Sequence, residues 1–229
     1  MHPLQVASIR RYPVKSMGGE SLQRVDLDAR GLLGDRRFAV RDADERLASG
    51  KNTRRFRRRD AVFDHAARTV ADGVEVRRDD STWRVGEPAL DAALSEAMQA
   101  QVRVAPESDI PHQDAGAVSI VGTASLAWCA ERLGVDADPR RLRVNLLLAT
   151  EEPFVEETWI GRRLEIGGAA LTVVVRAPRC RMIDLDQDGA RGGDKWLRAL
   201  NQQRDGALAV YADVAEPGPI ALGDAVVVR

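Results

Sequence analysis

With 229 residues, 44% hydrophobic and 30% charged, the chain can bury a sizeable core as one large or two small domains, and its composition excludes general disorder. The 34 basic and 35 acidic residues leave a formal net charge of −1, so no global field draws the protein to nucleic acid or to a membrane surface, and any anion site has to be local. No apolar run approaches the ~18 residues of a membrane span, and Met1-His2-Pro3-Leu4 lacks the basic start and apolar core of a leader, so a cytoplasmic protein is expected.

The first half reads as short strands joined by turns. Residues 6–12 form a strand ended by Pro13, and residues 22–27 alternate apolar and polar at period two. Residues 37–40 lead into the turn Asp42-Ala43-Asp44, and 46–48 return as the hairpin partner. Residues 75–78 and 82–85 repeat the short-strand style, which predicts a barrel or sandwich. A helix over 88–100 carries Leu90, Ala93-Leu94 and Met98 near a 3.6-residue period and marks the join between two halves.

A second helix is expected to start at Thr123, as its cap, and to end at Gly134, with Leu126, Cys129, Ala130 and Leu133 on one face. Cys129 therefore reads as core. Strands follow over 142–148, 163–166, 170–175, 207–214 and 225–228, with Gly167-Gly168 as a two-residue hairpin turn. A third helix over 194–201 carries Trp196, Leu197 and Leu200.

Several chemistries find no support. His2, His65 and His112 have no metal-ligand spacing, and Cys129 and Cys180 lie far apart without a zinc pattern, which fits a reducing compartment. No nucleophile elbow, P-loop or dinucleotide fingerprint is present. The run Arg54-Arg55-Phe56-Arg57-Arg58-Arg59 has the ingredients of a nucleic-acid contact, but Asp60, Asp79-Asp80 and the neutral total favour a solvated strand face or a local anion site.

What remains is polar residues beside strands. Tyr12-Pro13-Val14-Lys15-Ser16-Met17-Gly18-Gly19 places one of only three lysines and a hydroxyl after a strand, in a Gly-rich stretch whose amides are expected to face an anion. Gly34-Asp35-Arg36-Arg37-Phe38 adds arginines. Arg143 and Asn145 are expected to share one face of a strand. Cys180, between Arg179 and Arg181 where a β-rich run breaks, reads either as a thiol in a setting that favours thiolate chemistry or as a small buried apolar residue.

Taken in order, these segments resemble the MOSC family, the domain shared by molybdenum cofactor sulfurases and amidoxime-reducing proteins, preceded by that family's N-terminal β-barrel region. The carriers are Tyr12-Pro13-Val14-Lys15-Ser16 and Gly31-Leu32-Leu33-Gly34-Asp35-Arg36-Arg37, then Arg143-Val144-Asn145, Pro153-Phe154, Trp159-Ile160-Gly161-Arg162-Arg163-Leu164, Arg179-Cys180, Leu185-Asp186 and Pro217-Gly218-Pro219-Ile220 through Gly223-Asp224. The resemblance implies a mainly β fold with a few helices: an N-terminal β-barrel region over 1–87 and a pyruvate-kinase-barrel-like MOSC domain over 88–229.

It further implies that Cys180 ligates the molybdenum of a pterin dithiolene cofactor (molybdopterin) as the catalytic ligand. Lys15, Ser16, Arg36, Arg143 and Asn145 would hold the pterin phosphate, with Arg179 beside the thiol. The implied activity is reduction of N-hydroxylated small molecules such as hydroxylamines or amidoximes. Two cysteines cannot ligate an iron–sulfur cluster conventionally, so electrons are expected from a separate ferredoxin- or flavoprotein-type partner. The alternative is a sulfur carrier in which Cys180 accepts a persulfide from a pyridoxal-phosphate desulfurase; a third reading is a barrel that binds an anionic small molecule or RNA through Arg54 to Arg59. The chain departs from the family pattern at Ala115-Gly116, Pro178 and Met182-Ile183, where relatives carry hydroxyl side chains.

Overall fold

A computed structural model describes residues 4–193 and 195–229 of the chain. The expectations placed on Met1 to Pro3, and the start of the third helix at Asp194, lie outside the described residues.

The fold is mainly β, as expected. Its body is an eight-stranded sheet in the spatial order Val226–Val228, Arg163–Ile166, Ala169–Pro178, Ala207–Glu216, Val118–Gly122, Leu146–Ala149, Gln5–Arg11, Glu20–Leu22. Backbone hydrogen bonds from Val6 N–H to the Asp224 carbonyl (2.9 Å) and from Val226 N–H to the Leu4 carbonyl (2.9 Å) tie the first strand back to the last, so the sheet curls toward closure. Inward-facing Ile9, Ile120, Leu146, Leu164, Leu171 and Val210 fill the interior, each at most 1% exposed. Burying one such side chain contributes roughly 1.5–3 kcal/mol. The turn at Gly167-Gly168 forms as expected: Ile166 pairs with Ala169, and Gly167 takes φ 56°, the left-handed region that glycine enters without a Cβ penalty.

The second core lies under two small sheets. One orders Val102–Pro106, Phe38–Asp42, Leu47–Ser49 and Phe56–Arg58; the other orders Ser81–Arg84, Gly73–Arg78 and Ala66–Val70. The expected hairpin over Asp42-Ala43-Asp44 is present, with Arg41 paired to Leu47. Val40, Val62, Phe63 and Val76 pack there with Leu90, Leu94 and Met98, the apolar stripe of the helix Pro88–Met98. Pro88 opens that helix because its fixed φ suits the first turn and its missing N–H is not needed there.

Packing crosses the boundary expected at 87/88 in both directions. The helix Pro88–Met98 and the strand Val102–Pro106 belong to the first core, while the strand Gln5–Arg11 belongs to the large sheet. Residues Thr123–Leu133 are helical, but Gly122 is the cap and the Thr123 hydroxyl donates instead to the Thr150 carbonyl (3.2 Å). Ala130, expected on the buried face, is exposed; Ser125 is buried in its place, its hydroxyl 2.9 Å from Glu156 Oε2.

The strand expected over 142–148 is corrected. Pro139–Leu142 forms a 3₁₀ turn, Arg143 follows in the left-handed region at φ 55°, and the strand begins only at Leu146. Phe56–Arg58 is a strand, in line with the strand-face reading of that run, whereas the strands at Ala66–Val70, Val102–Pro106, Val118–Gly122 and Gly218–Ala221 are not expected from the sequence.

Candidate functional site

Where the two cores meet, loops enclose a cavity of about 400 Å³. Lys15, Ser16, Arg36, Arg143, Arg179 and Cys180, expected as site residues on separate segments, all line it. Asn145 does not. It lies beneath, 1% exposed, where its Oδ1 accepts from the Ser119 hydroxyl (2.9 Å), Ser119 N–H (3.1 Å) and Arg36 Nη1 (3.4 Å), while its Nδ2 donates to the Arg10 carbonyl (3.2 Å). These bonds commit the amide to aligning its neighbours rather than to a ligand.

Three of the cavity residues occupy the left-handed region that non-glycine residues avoid: Ser16 at φ 70°, Arg36 at φ 49° and Arg143 at φ 55°. Each costs ~1–3 kcal/mol, held in place by the surrounding bonds. The Ser16 hydroxyl donates to the Ala48 carbonyl (3.0 Å), Arg36 Nη2 to the Arg143 carbonyl (3.0 Å), and Arg143 Nη2 to the Met17 carbonyl (2.7 Å). Tyr12, fully buried, lies under Arg143, whose guanidinium carbon is 4.4 Å from the ring centroid. Burial pushes the Tyr12 hydroxyl's pKa up, against the pull of Arg143 and Arg10.

Four amides of the Gly-rich stretch are taken by the protein itself, three by backbone carbonyls and one by a carboxylate, so these four are not free for a ligand. Lys15 N–H donates to Phe38, Met17 N–H to Val14, Gly18 N–H to His65 and Gly19 N–H to Asp188 Oδ1. The glycines serve close approach instead: a Cβ on Gly19 would collide with the Arg11 carbonyl oxygen.

The lining is strongly cationic, with seven Lys or Arg side chains and a single carboxylate, Asp114. Burial works against the Arg36 charge, but Asp35, itself fully buried and ion-paired to it, raises its pKa above the ordinary arginine value. Desolvation also opposes the Asp114 carboxylate, yet Lys15 and Arg36 outweigh it and hold the carboxyl well below its usual range. Arg143 and Arg179 are pushed down by burial. Arg143 Nη1 and Arg179 Nη2 are buried N–H groups without a hydrogen-bond partner among the described residues. Buried donors normally find a partner; the residues that carry these two line a cationic cavity, whose charge fits an anionic ligand, a phosphate above all.

His112 supports the same wall. Arg41 Nη2 can only donate to its Nε2 (3.2 Å), so the ring proton sits on Nδ1 and is donated to the Arg36 carbonyl (3.0 Å). Burial brings this imidazole down to about 4, and it stays neutral near pH 7. Its own carbonyl accepts from Lys15 Nζ, which also pairs with Asp114 (3.1 Å).

Burial, opposed by Asp114 and reinforced by Arg36 and Arg55, lowers Lys15 to about 8. Sulfate binding, probed calorimetrically because sulfate keeps its charge across the range, should be level below pH 8. Above it, where binding must also protonate Lys15, affinity should weaken by up to about tenfold per pH unit. Lys15→Met should flatten that fall; an unchanged profile in the variant would place the titration elsewhere.

Cys180 is half-buried on the cavity wall, at the end of the strand Ala169–Pro178, in extended backbone. Arg179 is anchored by the carbonyls of Leu142 (2.8 Å) and Ala177 (3.2 Å). Arg181, expected to act on the thiol as well, is turned away: its guanidinium pairs with Asp60 (2.9 Å) and donates to the Gly50 carbonyl (3.0 Å). Both cysteines are free thiols. Cys129 is core as expected, 0% exposed, with burial pushing its thiol up to about 11. Among the described residues no three His, Cys, Asp or Glu side chains converge on a metal position. A metal in this cavity would therefore need ligands of its own, with Cys180 as the soft donor from the wall.

Asp114, Ser119, Tyr211 and Lys51 also line the cavity and are not expected there from the sequence, and Arg55 joins them from the run that reads as a solvated strand face or a local anion site. Asp114 and Lys51 are polar loop residues whose spacing carries no periodic signal; only Lys51 stands out, by the rarity of lysine. The departures at Ala115, Pro178, Met182 and Ile183 all fall on the cavity wall and make that part of it apolar.

The fold is thus a barrel whose loops gather buried cations and one half-buried thiol around one cavity. The family model described as MOSC domain matches residues 107–227, and that described as MOSC N-terminal beta barrel domain matches residues 4–135. The chain belongs to the MOSC family. It is 37% identical over 69 residues to a molybdenum cofactor sulfurase of Danio rerio, covering 30% of this chain and 8% of that protein. It is 24% identical over 225 residues to the corresponding protein of Caenorhabditis briggsae, covering 87% of this chain and 32% of that protein. The chain thus spans well under half the length of these curated relatives. The YuaD protein from Bacillus subtilis shares the fold, with a TM-score of 0.55 at 16% identity over 99% of this chain and 96% of that one. Among the described residues no helix is long and apolar enough to cross a membrane.

Proposed function

We propose that the chain is a cytoplasmic enzyme that binds the phosphorylated pterin form of the molybdenum cofactor and reduces N-hydroxylated small molecules. The observation that carries this reading is the meeting of Cys180 with Lys15, Ser16, Arg36, Arg143 and Arg179 in one cavity, where Arg143 Nη1 and Arg179 Nη2 have no other partner among the described residues. Lys15, Arg143 and Arg179 would take the pterin phosphate, Arg36 and Asn145 would hold that set in position, and Cys180 would supply a thiolate to the metal. When bound, the cofactor supplies two-electron removal of oxygen from nitrogen.

For an amidoxime the balance is R–C(=NOH)NH₂ plus two electrons and two protons giving the amidine and water: the N–O bond breaks and the oxygen leaves as water. The electrons come from a separate ferredoxin- or flavoprotein-type donor. The apolar wall at Pro178, Met182 and Ile183 offers a surface for the substrate's hydrocarbon body.

The test is elemental analysis of protein purified from a host that makes the pterin cofactor, with reduction of benzamidoxime by a reduced viologen dye. One molybdenum per chain and formation of benzamidine are expected. A chain free of molybdenum from a competent host, carrying an added sulfur mass on Cys180, would replace this reading by the sulfur-carrier one, which fits the half-buried, cavity-facing thiol equally.

A further inference from the structure

Resting on that reading, the remaining cations of the cavity point to a substrate class. Asp35 neutralises Arg36, and Asp114 pairs with Lys15. Arg141 is a structural residue, 2% exposed, whose guanidinium donates to the carbonyls of Ile183 (2.9 Å) and Arg191 (2.9 Å). Arg143 and Arg179 are assigned to the cofactor phosphate. Lys51 and Arg55 remain: neither is ion-paired with a carboxylate among the described residues, although the Lys51 charge helps Lys15 and Arg36 hold down the Asp114 carboxyl.

Both come from the segment joining Leu47–Ser49 to Phe56–Arg58, whose residues 52–54 are exposed, so this wall of the cavity borders solvent. Their charges rest on one ring: Lys51 Nζ is 4.8 Å and Arg55 Cζ 4.8 Å from the Phe56 centroid, with Lys15 Nζ 5.4 Å from the same point. Phe56 is 6% exposed, so the platform is rigid. Arg55 is aimed by one bond, Nη2 to the Gln113 carbonyl (2.5 Å), while its buried Nε has no partner. The Lys51 ammonium makes no hydrogen bond or ion pair among the described residues. Two like charges held against one aromatic ring, with no acid bonded to either, repel each other, and an anion bound between them would relieve that repulsion.

We propose that Lys51 and Arg55 form a second anion subsite at the mouth, which selects N-hydroxylated substrates bearing a carboxylate or phosphate. The anionic group is bound and not altered; the N–O group reaches past it to the thiol side of the cavity.

Benzamidoxime and 4-carboxybenzamidoxime test this, because they differ only in the carboxylate. Calorimetric titration of the holoprotein without reductant should show the carboxylated compound binding about tenfold tighter or more, the size of one charge-assisted contact. The preference should vanish in Lys51→Ala/Arg55→Ala and persist in Lys51→Arg; Lys51→Gln alone, which should reduce the preference, serves if the double variant folds poorly. Turnover should show the same preference as a lower KM. Equal binding of the two compounds by the wild type would overturn the subsite. So would two phosphorus atoms per molybdenum without a carboxylate preference, which would assign Lys51 and Arg55 to a nucleotide extension of the cofactor. Carboxylate-selective binding without turnover of either compound would support the subsite and remove the reductase reading instead.

Discussion

Replacing Cys180 with alanine should abolish benzamidoxime reduction and strip molybdenum from the purified protein, while thermal unfolding stays near the wild-type midpoint. The two halves of that expectation have separate grounds. Cys180 belongs to none of the apolar clusters, its backbone is extended at φ −131° and ψ 178°, and its side chain is half-buried on a cavity wall. Deleting the sulfur therefore opens no void in a packed core, and the large cost of core truncation does not arise. The chemical loss has no substitute, because no other His, Cys, Asp or Glu cluster among the described residues offers a metal position. Cys129→Ala is the control: that thiol is fully buried with Leu126 and Trp196, so the variant should lose stability and keep its molybdenum. Wild-type turnover in Cys180→Ala, measured with an artificial reductant, would remove Cys180 as a ligand.

The contrast between the two cysteines is legible in the sequence, because Cys129 recurs at helical spacing with Leu126 while Cys180 sits between arginines at the end of a β-rich run. So is the β character, since short runs of Val and Leu broken by turn residues leave few alternatives. The site residues are legible as motifs but not as geometry. Period two places Arg143 on a strand beside Asn145, yet Arg143 enters the cavity from a left-handed turn after Leu142, and Asn145 points beneath. Period-two reasoning fails there because the run Leu142 to Leu148 is apolar enough for either element, and tertiary contacts with Tyr12 and Met17 decide it. Adjacency in sequence suggests that Arg181 serves the thiol. It turns instead to Asp60, an acid more than a hundred positions away that no local pattern identifies. Arg55 is only half legible: its arginine run reads as a solvated strand face or a local anion site, and the packing of Phe56 beside the cavity decides between them.

Asp35→Ala should destabilise the protein by ~3–5 kcal/mol, the range for a buried ion pair that loses one partner, and lower the unfolding midpoint by about 6–20 °C for a chain of this size. Asp35 is 0% exposed and does two things there: one oxygen accepts from Tyr12 N–H (2.8 Å), the other from Arg36 Nη1. Alanine leaves the Tyr12 amide unpaired and the Arg36 charge uncompensated, beside Arg143 in a cavity already rich in cations. The loss would not prove that the pair is stabilising in itself, since a buried pair replaced whole by apolar residues is often tolerated. The variant Asp35→Leu/Arg36→Met distinguishes these cases. It should recover most of the stability lost in Asp35→Ala while still binding sulfate more weakly than wild type, because Arg36 Nη2 no longer holds the Arg143 carbonyl (3.0 Å) and with it the guanidinium assigned to the phosphate. Urea unfolding reads the first quantity and calorimetry the second. A double variant as unstable as Asp35→Ala would mean that the backbone anchored by Tyr12 N–H, rather than the charge on Arg36, sets the cost. If the double variant kept wild-type sulfate affinity, Arg36 would have no part in positioning the anion site.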